Sequence, residues 1–200
     1  MIPTNNETKE GDEEKKEESP FQFLSQPEVR TIGLIGDVDE EKSADVMMGL
    51  LLLTKLSGKE PPFDPISMYI STYGGSADEM FGLYDMMTMV KKQCEVHTYG
   101  VGKVMSAGTL LLAAGTKGQR SIGRHGRVMI HAVNAGSVGD LHSIENEVKA
   151  VKHMQDLYVN AMSTETQMTK RQIQKLIDRK VNVYLTAEEA IEYGIADKLI

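Results

Sequence analysis

Hydrophobic and polar positions along this chain follow two spacings that alternate from Phe21 onward. Short runs rich in β-branched and aromatic residues predict strands at Thr31–Val38, Ile66–Ser71, Glu95–Tyr99, Gln119–Ile122, Val128–His131 and Ile195–Ile200. Apolar residues that recur every three or four positions predict helices at Ser43–Leu56, from Ser76, after Tyr99, at Leu141–Met162, from Thr169 and from Thr186. Strands that alternate with helices predict an α/β domain with a mostly parallel sheet.

Local signals mark where several of these helices begin and end. A capping box, in which a hydroxyl and a later acid or amide satisfy each other's backbone N–H groups, is predicted for three pairs: Ser76 with Glu79, Thr169 with Gln172, and Thr186 with Glu189. Gly194 is predicted to end the last helix, because glycine adopts the left-handed conformation that follows many helices.

Charge separates the chain into two parts. Residues 1–20 hold seven acids against three lysines and no aromatic residue, so they cannot bury enough surface to offset the entropy of ordering. We therefore predict a disordered acidic tail at residues 1–20 and one folded domain at residues 21–200. The whole chain has a formal charge of −7, and the domain carries no basic stripe suited to a phosphate backbone. Nucleic acid is accordingly not expected as a partner.

The cysteine count and the longest apolar run indicate the compartment. Cys94 is the only cysteine, which excludes an intrachain disulfide and a four-cysteine zinc site and favours a reducing environment. The N-terminus alternates Glu and Lys where a signal peptide would need an apolar core. The longest apolar run, Met47–Leu53, is too short to span a bilayer. These features predict a soluble cytoplasmic protein.

One stretch, GKVMSAGTLLLAAG at 102–115, holds a hydroxyl that could act as a nucleophile. Ser106 stands at the predicted start of a buried helix, where free backbone N–H groups, including that of Ala107, face the space beside its side chain. The alternative is that Ser106 only packs or caps the helix. A Gly-x-Ser-x-Gly elbow is absent, which disfavours an α/β-hydrolase.

His131, at the end of the strand RVMIH, is the candidate base for this serine, because a histidine at a strand's end can reach across a cleft. Four other histidines compete with it, and their predicted positions in a strand, a turn or a solvated helix face suit the role less well: His97, His125, His142 and His153. Gly75, in a Gly-Gly pair between a strand and a capped helix, supplies backbone that a substrate can approach without a Cβ clash. No cluster of metal ligands is evident, and we expect neither a metal nor an organic cofactor.

Four segments resemble the caseinolytic protease proteolytic subunit (ClpP) family in order and spacing: YISTYGGS, GVGKVMSAGTLLLAAGTKGQR, GRVMIHAVNAGSVGD and YLTAEEAIEYGIADKLI. The resemblance implies that Ser106 is the nucleophile and His131 the base, and that the backbone N–H groups of Gly75 and Ala107 form the oxyanion hole. It also implies a crotonase-like fold of stacked ββα units with a projecting handle helix at Leu141–Met162. The implied assembly is a homo-oligomer of heptameric rings stacked in pairs, which hydrolyses peptides and unfolded proteins fed by an ATP-driven unfoldase of the AAA+ type.

The chain departs from the family at the third catalytic position. Matching backwards from YLTAEEA places Asn182 where the family usually has an aspartate, and Asp178 is a rival if the extra residues of this segment lie after it. Further departures are Ala132-Val133 after the histidine, Ser71-Thr72-Tyr73 before the glycines, and Val181 at a position of ring–ring contacts. Because of these departures, the resemblance does not identify residues for unfoldase docking or for the pairing of rings.

The sequence therefore supports a serine endopeptidase of ClpP type in which Asn182 orients His131. A catalytically weak or inactive ring subunit is the alternative, because the usual aspartate is missing. An acyl-CoA enzyme of the crotonase superfamily is disfavoured, since such enzymes lack this Ser/His pair.

Overall fold

A seven-stranded sheet runs through the part of the molecule that the computed structural model describes, residues 29–57 and 63–200. Its strands are β1 (Thr31–Ile35), β2 (Ile66–Thr72), β3 (Val96–Met105), β4 (Arg120–Ile122), β5 (Arg127–Ile130), β6 (Val183–Leu185) and β7 (Lys198–Leu199). The strand order is β1-β2-β3-β4-β7, all parallel, and β5 pairs with β3 on one side and antiparallel with β6 on the other. The prediction of an α/β architecture with a mostly parallel sheet is confirmed.

Six helices accompany this sheet within the described residues: α1 (Glu40–Lys55), α2 (Ala77–Val90), α3 (Ala107–Ala113), α4 (Leu141–Glu165), α5 (Lys170–Ile177) and α6 (Ala187–Glu192). The capping boxes at Thr169 and Thr186 are complete, whereas Ser76 only accepts the N–H of Glu79. Helix α1 begins three residues before the predicted Ser43, because the side chain of Asp39 accepts the Lys42 N–H and caps it. None of these helices, as far as the chain is described, could cross a membrane. The predicted tail at residues 1–20 lies outside the described residues.

Strand β3 is longer than the predicted Glu95–Tyr99 because it continues through a bulge. Ile70 of β2 pairs with Gly100, but Thr72, two residues later, pairs with Val104, so β3 holds two extra residues at this point. Gly102 lies in the bulge with φ of 68°. As a result the first half of β3 pairs with β4, and its second half pairs with β5.

The core is formed between the sheet and its helices, and α3 is its centre. Every residue of α3 is buried, and Leu110, Leu111 and Leu112 have no exposed surface. Burial of such side chains stabilises the fold by about 2 kcal/mol each, on the usual transfer scale. Because α3 cannot move without disrupting this core, the residue that precedes it is held firmly.

Helix α4 is buried only at its C-terminal end. Its residues from Leu141 to Ala150 are exposed, whereas Tyr158, Val159, Ala161, Met162 and Glu165 are buried. The carboxylate of Glu165 accepts a hydrogen bond of 3.0 Å from the Tyr84 hydroxyl. The Nζ atoms of two lysines, Lys91 and Lys117, lie 4.0 Å and 3.6 Å from the same carboxylate. The last two turns of α4 are thus clamped to the domain, and the first part projects from it.

Candidate active site

Ser106 has a strained backbone at the junction between β3 and α3. Its φ of 54° and ψ of −118° place a residue with a Cβ atom in a region that favours glycine. The Ser106 side chain makes no capping bond to α3, so the expectation that it only caps the helix does not describe it. Gly74 is packed against it, since a Cβ atom at Gly74 would lie 2.6 Å from the Ser106 Cβ atom. The hydroxyl is therefore presented on a sharp turn.

The hydroxyl of Ser106 contacts His131. The distance from Ser106 Oγ to His131 Nε2 is 2.7 Å, which is a short hydrogen bond. The pairing of β3 with β5 causes this contact, because Met105 is the register partner of Met129 and the Ser106 N–H donates to the Met129 carbonyl over 2.8 Å. The nucleophile and base proposed from sequence thus lie side by side.

The other four histidines lie away from Ser106. His97 is hydrogen-bonded to Glu95 over 2.7 Å, and His142 lies 3.9 Å from Glu145 on the exposed part of α4. His125 and His153 are exposed to solvent. None of them lines the cavity that contains Ser106.

Gly75 and Ala107 line the same cavity as Ser106 and His131. Neither the Gly75 N–H nor the Ala107 N–H donates to an acceptor within residues 29–57 and 63–200. Gly75 is held by Val38, which donates to the Gly74 carbonyl over 2.9 Å and accepts the Ser76 N–H over 2.8 Å. Two donors from residues that line the cavity thus have no acceptor among the described residues, as stabilisation of an oxyanion requires.

The cavity has a volume of about 300 Å³ and is mostly apolar. It is lined by Ser106, by His131 and by the backbones of Gly75 and Ala107. Its remaining walls come from the loop between β2 and α2, from α2, β5 and α4, and from the loop after His131. Those walls are formed by Tyr73, Ser76, Ala77, Met80, Met129, Ala132, Val133, Asn134 and Tyr158. Its size suits one amino-acid side chain together with the peptide group that carries it.

Asn134 makes the contact at the far side of the His131 ring. Its Nδ2 atom lies 3.4 Å from His131 Nδ1. An amide that presents N–H to Nδ1 holds the ring proton on Nε2, which is the unproductive tautomer for a base. The reversed amide would accept the Nδ1–H and leave Nε2 free. Sequence reasoning missed Asn134, because an exposed loop asparagine three residues after a histidine carries no local signal.

Neither Asn182 nor Asp178, the two sequence candidates for this role, forms a hydrogen bond with His131. Asn182 is exposed, and its side chain has no hydrogen bond with any residue that the structure describes. The antiparallel register nevertheless pairs Ile130 with Val183, so one further step would place Asn182 opposite His131. Asp178 follows the end of α5, where its carboxylate accepts a 2.9 Å hydrogen bond from Gln174. Asn182 is therefore much the better placed of the two.

Burial lowers the pKa of His131 below its ordinary value of 6.5. A base must be neutral to accept a proton, and a lowered pKa keeps the ring neutral to a more acidic pH. We therefore expect kcat/KM for a peptide substrate to fall on the acid side with an apparent pKa below 6.5. A pH–rate profile measures it, and an acid limb above 6.5 would contradict the prediction.

No group of three or more His, Cys, Asp or Glu side chains suited to a metal ion occurs in the described part of the chain. The arrangement of Ser106, His131 and two free N–H groups can carry out acyl transfer with protein atoms alone.

Comparison with a family model and comparison with individual proteins point to the same family. The family model described as "Clp protease" matches residues 14–200. The chain is 37% identical over 185 residues to "ATP-dependent Clp protease proteolytic subunit 2" of Corynebacterium jeikeium, which covers 92% of this chain and 84% of the relative. It is 36% identical over 185 residues to "ATP-dependent Clp protease proteolytic subunit 1" of Corynebacterium diphtheriae, and the match again covers 92% of this chain and 84% of the relative. It is 34% identical to "ATP-dependent Clp protease proteolytic subunit 3" of Nocardia farcinica, covering 91% of this chain and 79% of the relative.

Proposed function

The chain belongs to the Clp protease family, and from that premise we propose that it is a self-compartmentalised serine endopeptidase acting on peptides and unfolded proteins. The observation that carries the proposal is the 2.7 Å contact between Ser106 Oγ and His131 Nε2, in a cavity also lined by two N–H donors that have no acceptor among the described residues. A serine that only packed or capped α3 would need neither feature.

The proposed reaction begins with proton transfer from Ser106 Oγ to His131 Nε2 as Oγ attacks the peptide carbonyl carbon. The carbonyl oxygen becomes an oxyanion and accepts hydrogen bonds from the Gly75 and Ala107 N–H groups. His131 then gives its proton to the leaving amine, the C–N bond breaks, and an acyl ester remains on Ser106. Water repeats the sequence on the ester: His131 takes its proton, and Ser106 leaves with that proton restored.

For the third catalytic position, the residue that orients His131, we propose Asn182. The match to the family and the register of β5 with β6 support this choice. An asparagine carbonyl can accept the Nδ1–H of His131 and so select the productive tautomer. A neutral amide stabilises the imidazolium less than a carboxylate does. The proposed enzyme is thus expected to be slower than a relative with an aspartate.

Substitution of the two asparagines tests this assignment. Asn182→Ala should lower kcat about 10- to 100-fold, because the His131 ring loses its orienting acceptor, whereas Asn134→Ala and Asp178→Asn should change kcat less than about threefold. Asn182→Asp should keep or raise kcat and should move the acid limb of the pH–rate profile upward, because a carboxylate stabilises the imidazolium. If Asn134→Asp moves the acid limb of the pH–rate profile and Asn182→Asp does not, Asn134 is the residue that orients His131. If Asp178→Asn is the silencing change, the chain has a Ser/His/Asp triad.

For the fold we propose stacked ββα units with α4 as the projecting handle. For the assembly we propose heptameric rings that stack in pairs. These rings are proposed to lie in the cytoplasm and to receive substrate from an AAA+ unfoldase. Large apolar side chains that this single chain leaves exposed support association, namely Met48 and Leu52 on α1, Leu56 directly after it, and Ile144 and Val148 on α4. A native mass equal to one chain at micromolar concentration would contradict the ring.

A second candidate is a catalytically weak or inactive ring subunit. The observation that favours it is that no carboxylate contacts His131 within residues 29–57 and 63–200. A fluorophosphonate probe separates the two, because it labels a serine only when that serine is activated. Labelling at Ser106 together with peptide hydrolysis by the native particle supports the endopeptidase, and a particle of the same mass without either supports the inactive subunit.

A further inference from the structure

We propose that the acidic segment at residues 7–18 binds a basic pocket of the same chain, between the start of β5 and the end of β6. The side chains of this basic pocket that carry the argument are Arg124, His125, Arg127, Tyr184 and Glu188. The basic pocket has a volume of about 340 Å³ and shares no lining residue with the cavity that holds Ser106. The proposal does not depend on the proposed peptidase function, and its test needs no substrate.

The first observation is that two arginines of the basic pocket have no acidic partner. Arg124 and Arg127 are exposed, and neither guanidinium forms an ion pair or donates a hydrogen bond to any residue that the structure describes. Glu188 is the one acid among the described lining residues, and it pairs with neither of them. The buried Arg120, in contrast, donates to the Asp197 carboxylate from two of its nitrogens. Because a guanidinium binds carboxylates through several N–H groups, the basic pocket has unused capacity for an anion.

The second observation is that Tyr184 holds Arg127 in place. The guanidinium carbon of Arg127 lies 4.7 Å from the centre of the Tyr184 ring, which is within the range of a cation–π contact. The antiparallel pairing of β5 with β6 causes this contact, because Tyr184 pairs with Met129 and Arg127 lies two residues before Met129 on the same face. A guanidinium that stacks on a ring keeps the N–H groups at its edge available, and it loses little side-chain entropy when an anion binds.

The third observation is the charge of the segment. Residues 7–18 contain seven acids and three lysines, a net charge of −4, and three of the acids are consecutive at residues 12–14. Consecutive carboxylates can contact two guanidinium groups at once. A segment attached to the same chain also has a much higher local concentration at the basic pocket than an anion that is free in solution. Charge and attachment together favour this segment as the occupant.

The basic pocket is within reach of the segment. Strands β1, β2 and β3 are adjacent, Thr31 of β1 is level with His97 of β3, and Lys103, further along β3, pairs with Arg127 of β5. The usual strand spacing and rise per residue then place Arg127 about 25 Å from Thr31. An extended chain covers about 3.3 Å per residue, so the part from Glu18 to Thr31 can span about 40 Å. The preceding acids reach further still.

Photo-crosslinking of the full chain tests the proposal, with benzoylphenylalanine in place of Gly11, which lies among the acids of the segment. In about 0.1 M salt, mass spectrometry should find crosslinks to residues 124–127 or 184–188. A denaturing gel should show that the crosslinked product has the mass of one chain. Raising the salt to about 0.5 M shortens the Debye length to about 4 Å and should lower the crosslink yield about fivefold, because the contacts are between exposed charges.

Charge reversal in the basic pocket is the decisive comparison. Arg124→Glu combined with Arg127→Glu should lower the yield about tenfold, because repulsion replaces attraction. The matched control is Arg171→Glu, which reverses an exposed arginine of α5 outside the basic pocket and should leave the yield within about twofold. Lysines in place of the three acids at residues 12–14, added to the double arginine variant, should restore the yield to within about threefold of the wild type. All these side chains of the domain are exposed, so the melting temperatures should stay close to that of the wild type.

Four outcomes overturn the proposal. They are an equal yield in the double arginine variant and the wild type, a lack of recovery after the charge exchange in protein of wild-type melting temperature, crosslinks that gather elsewhere on the domain and persist in about 0.5 M salt, and crosslinks that join two chains. The last of these would place the segment on a second copy. Failure of the proposed peptidase is a different result, because absent peptide cleavage and an unlabelled Ser106 would leave these crosslinks unchanged.

Discussion

Ser106→Ala should lower peptide hydrolysis by about 10³- to 10⁶-fold while the native mass of the particle stays that of the wild type. The Oγ atom that lies 2.7 Å from His131 Nε2 is the proposed attacking atom, and alanine has nothing to replace it. The cavity and both N–H donors remain in the variant. Turnover of a fluorogenic peptide and fluorophosphonate labelling measure the loss, and activity within tenfold of the wild type would contradict the assignment.

Ser106→Gly is the matched control for backbone strain. It removes the same hydroxyl, so it should be as inactive as Ser106→Ala, but glycine adopts the φ of 54° without a Cβ clash. We expect Ser106→Gly to be more stable to unfolding than Ser106→Ala by about 1 kcal/mol, the lower part of the range for such strain. Denaturant titration compares the two. Equal stability would mean that the turn imposes no strain on the side chain.

Gly75→Ala should lower kcat by about 10²- to 10³-fold, the usual effect of losing one oxyanion donor. The added Cβ atom would overlap with the backbone carbonyl of Val38, which is rigid and cannot turn aside. The segment must therefore shift, and the Gly75 N–H moves away from the carbonyl that Ser106 attacks. Steady-state kinetics with one peptide measure the effect, and we expect KM to change much less than kcat.

Gly136→Ala is the control for this glycine. A Cβ atom at Gly136 meets nothing within 4 Å and its φ is not restricted to glycine, so kcat and melting temperature should stay at wild-type values. Comparison of melting temperatures separates loss of the donor from loss of the fold. Should folded Gly75→Ala retain kcat within twofold, the backbone of Gly75 does not stabilise the oxyanion.

The sequence identified Ser106 and His131 separately, but it did not contain the reason for their contact. Each was found from a local feature, a helix start and a strand end. Their 2.7 Å contact depends on the bulge in β3, which allows its second half to leave β4 and pair with β5. A bulge of this kind follows from how three strands fit together, and Gly102 alone does not specify it.

Elements with strong local signals were predicted well, and short elements held by tertiary pairing were not. The capping boxes at Thr169 and Thr186 form because all their partners lie within four residues. Strand β6 was missed, since three residues are too few for a periodic pattern and its pairing partner β5 lies more than fifty residues earlier. The same limit applies to the asparagine beside His131, because the loop conformation that brings Asn134 there is set by packing.

Helix α4 has the geometry of a lever whose pivot is the clamp around Glu165, with Tyr158 of the active-site wall on the short arm. Its 25 residues span about 37 Å, and a continuous helix bends little over that length. The clamp around Glu165 lies less than two turns from Tyr158, whereas the exposed end at Leu141 lies more than four turns beyond Tyr158. A sideways force on the exposed end therefore acts through the long arm from Leu141 to the clamp, and Tyr158 lies on the short arm next to the clamp. A displacement at Leu141 would be reduced to roughly a third at Tyr158, with the force increased in the same ratio.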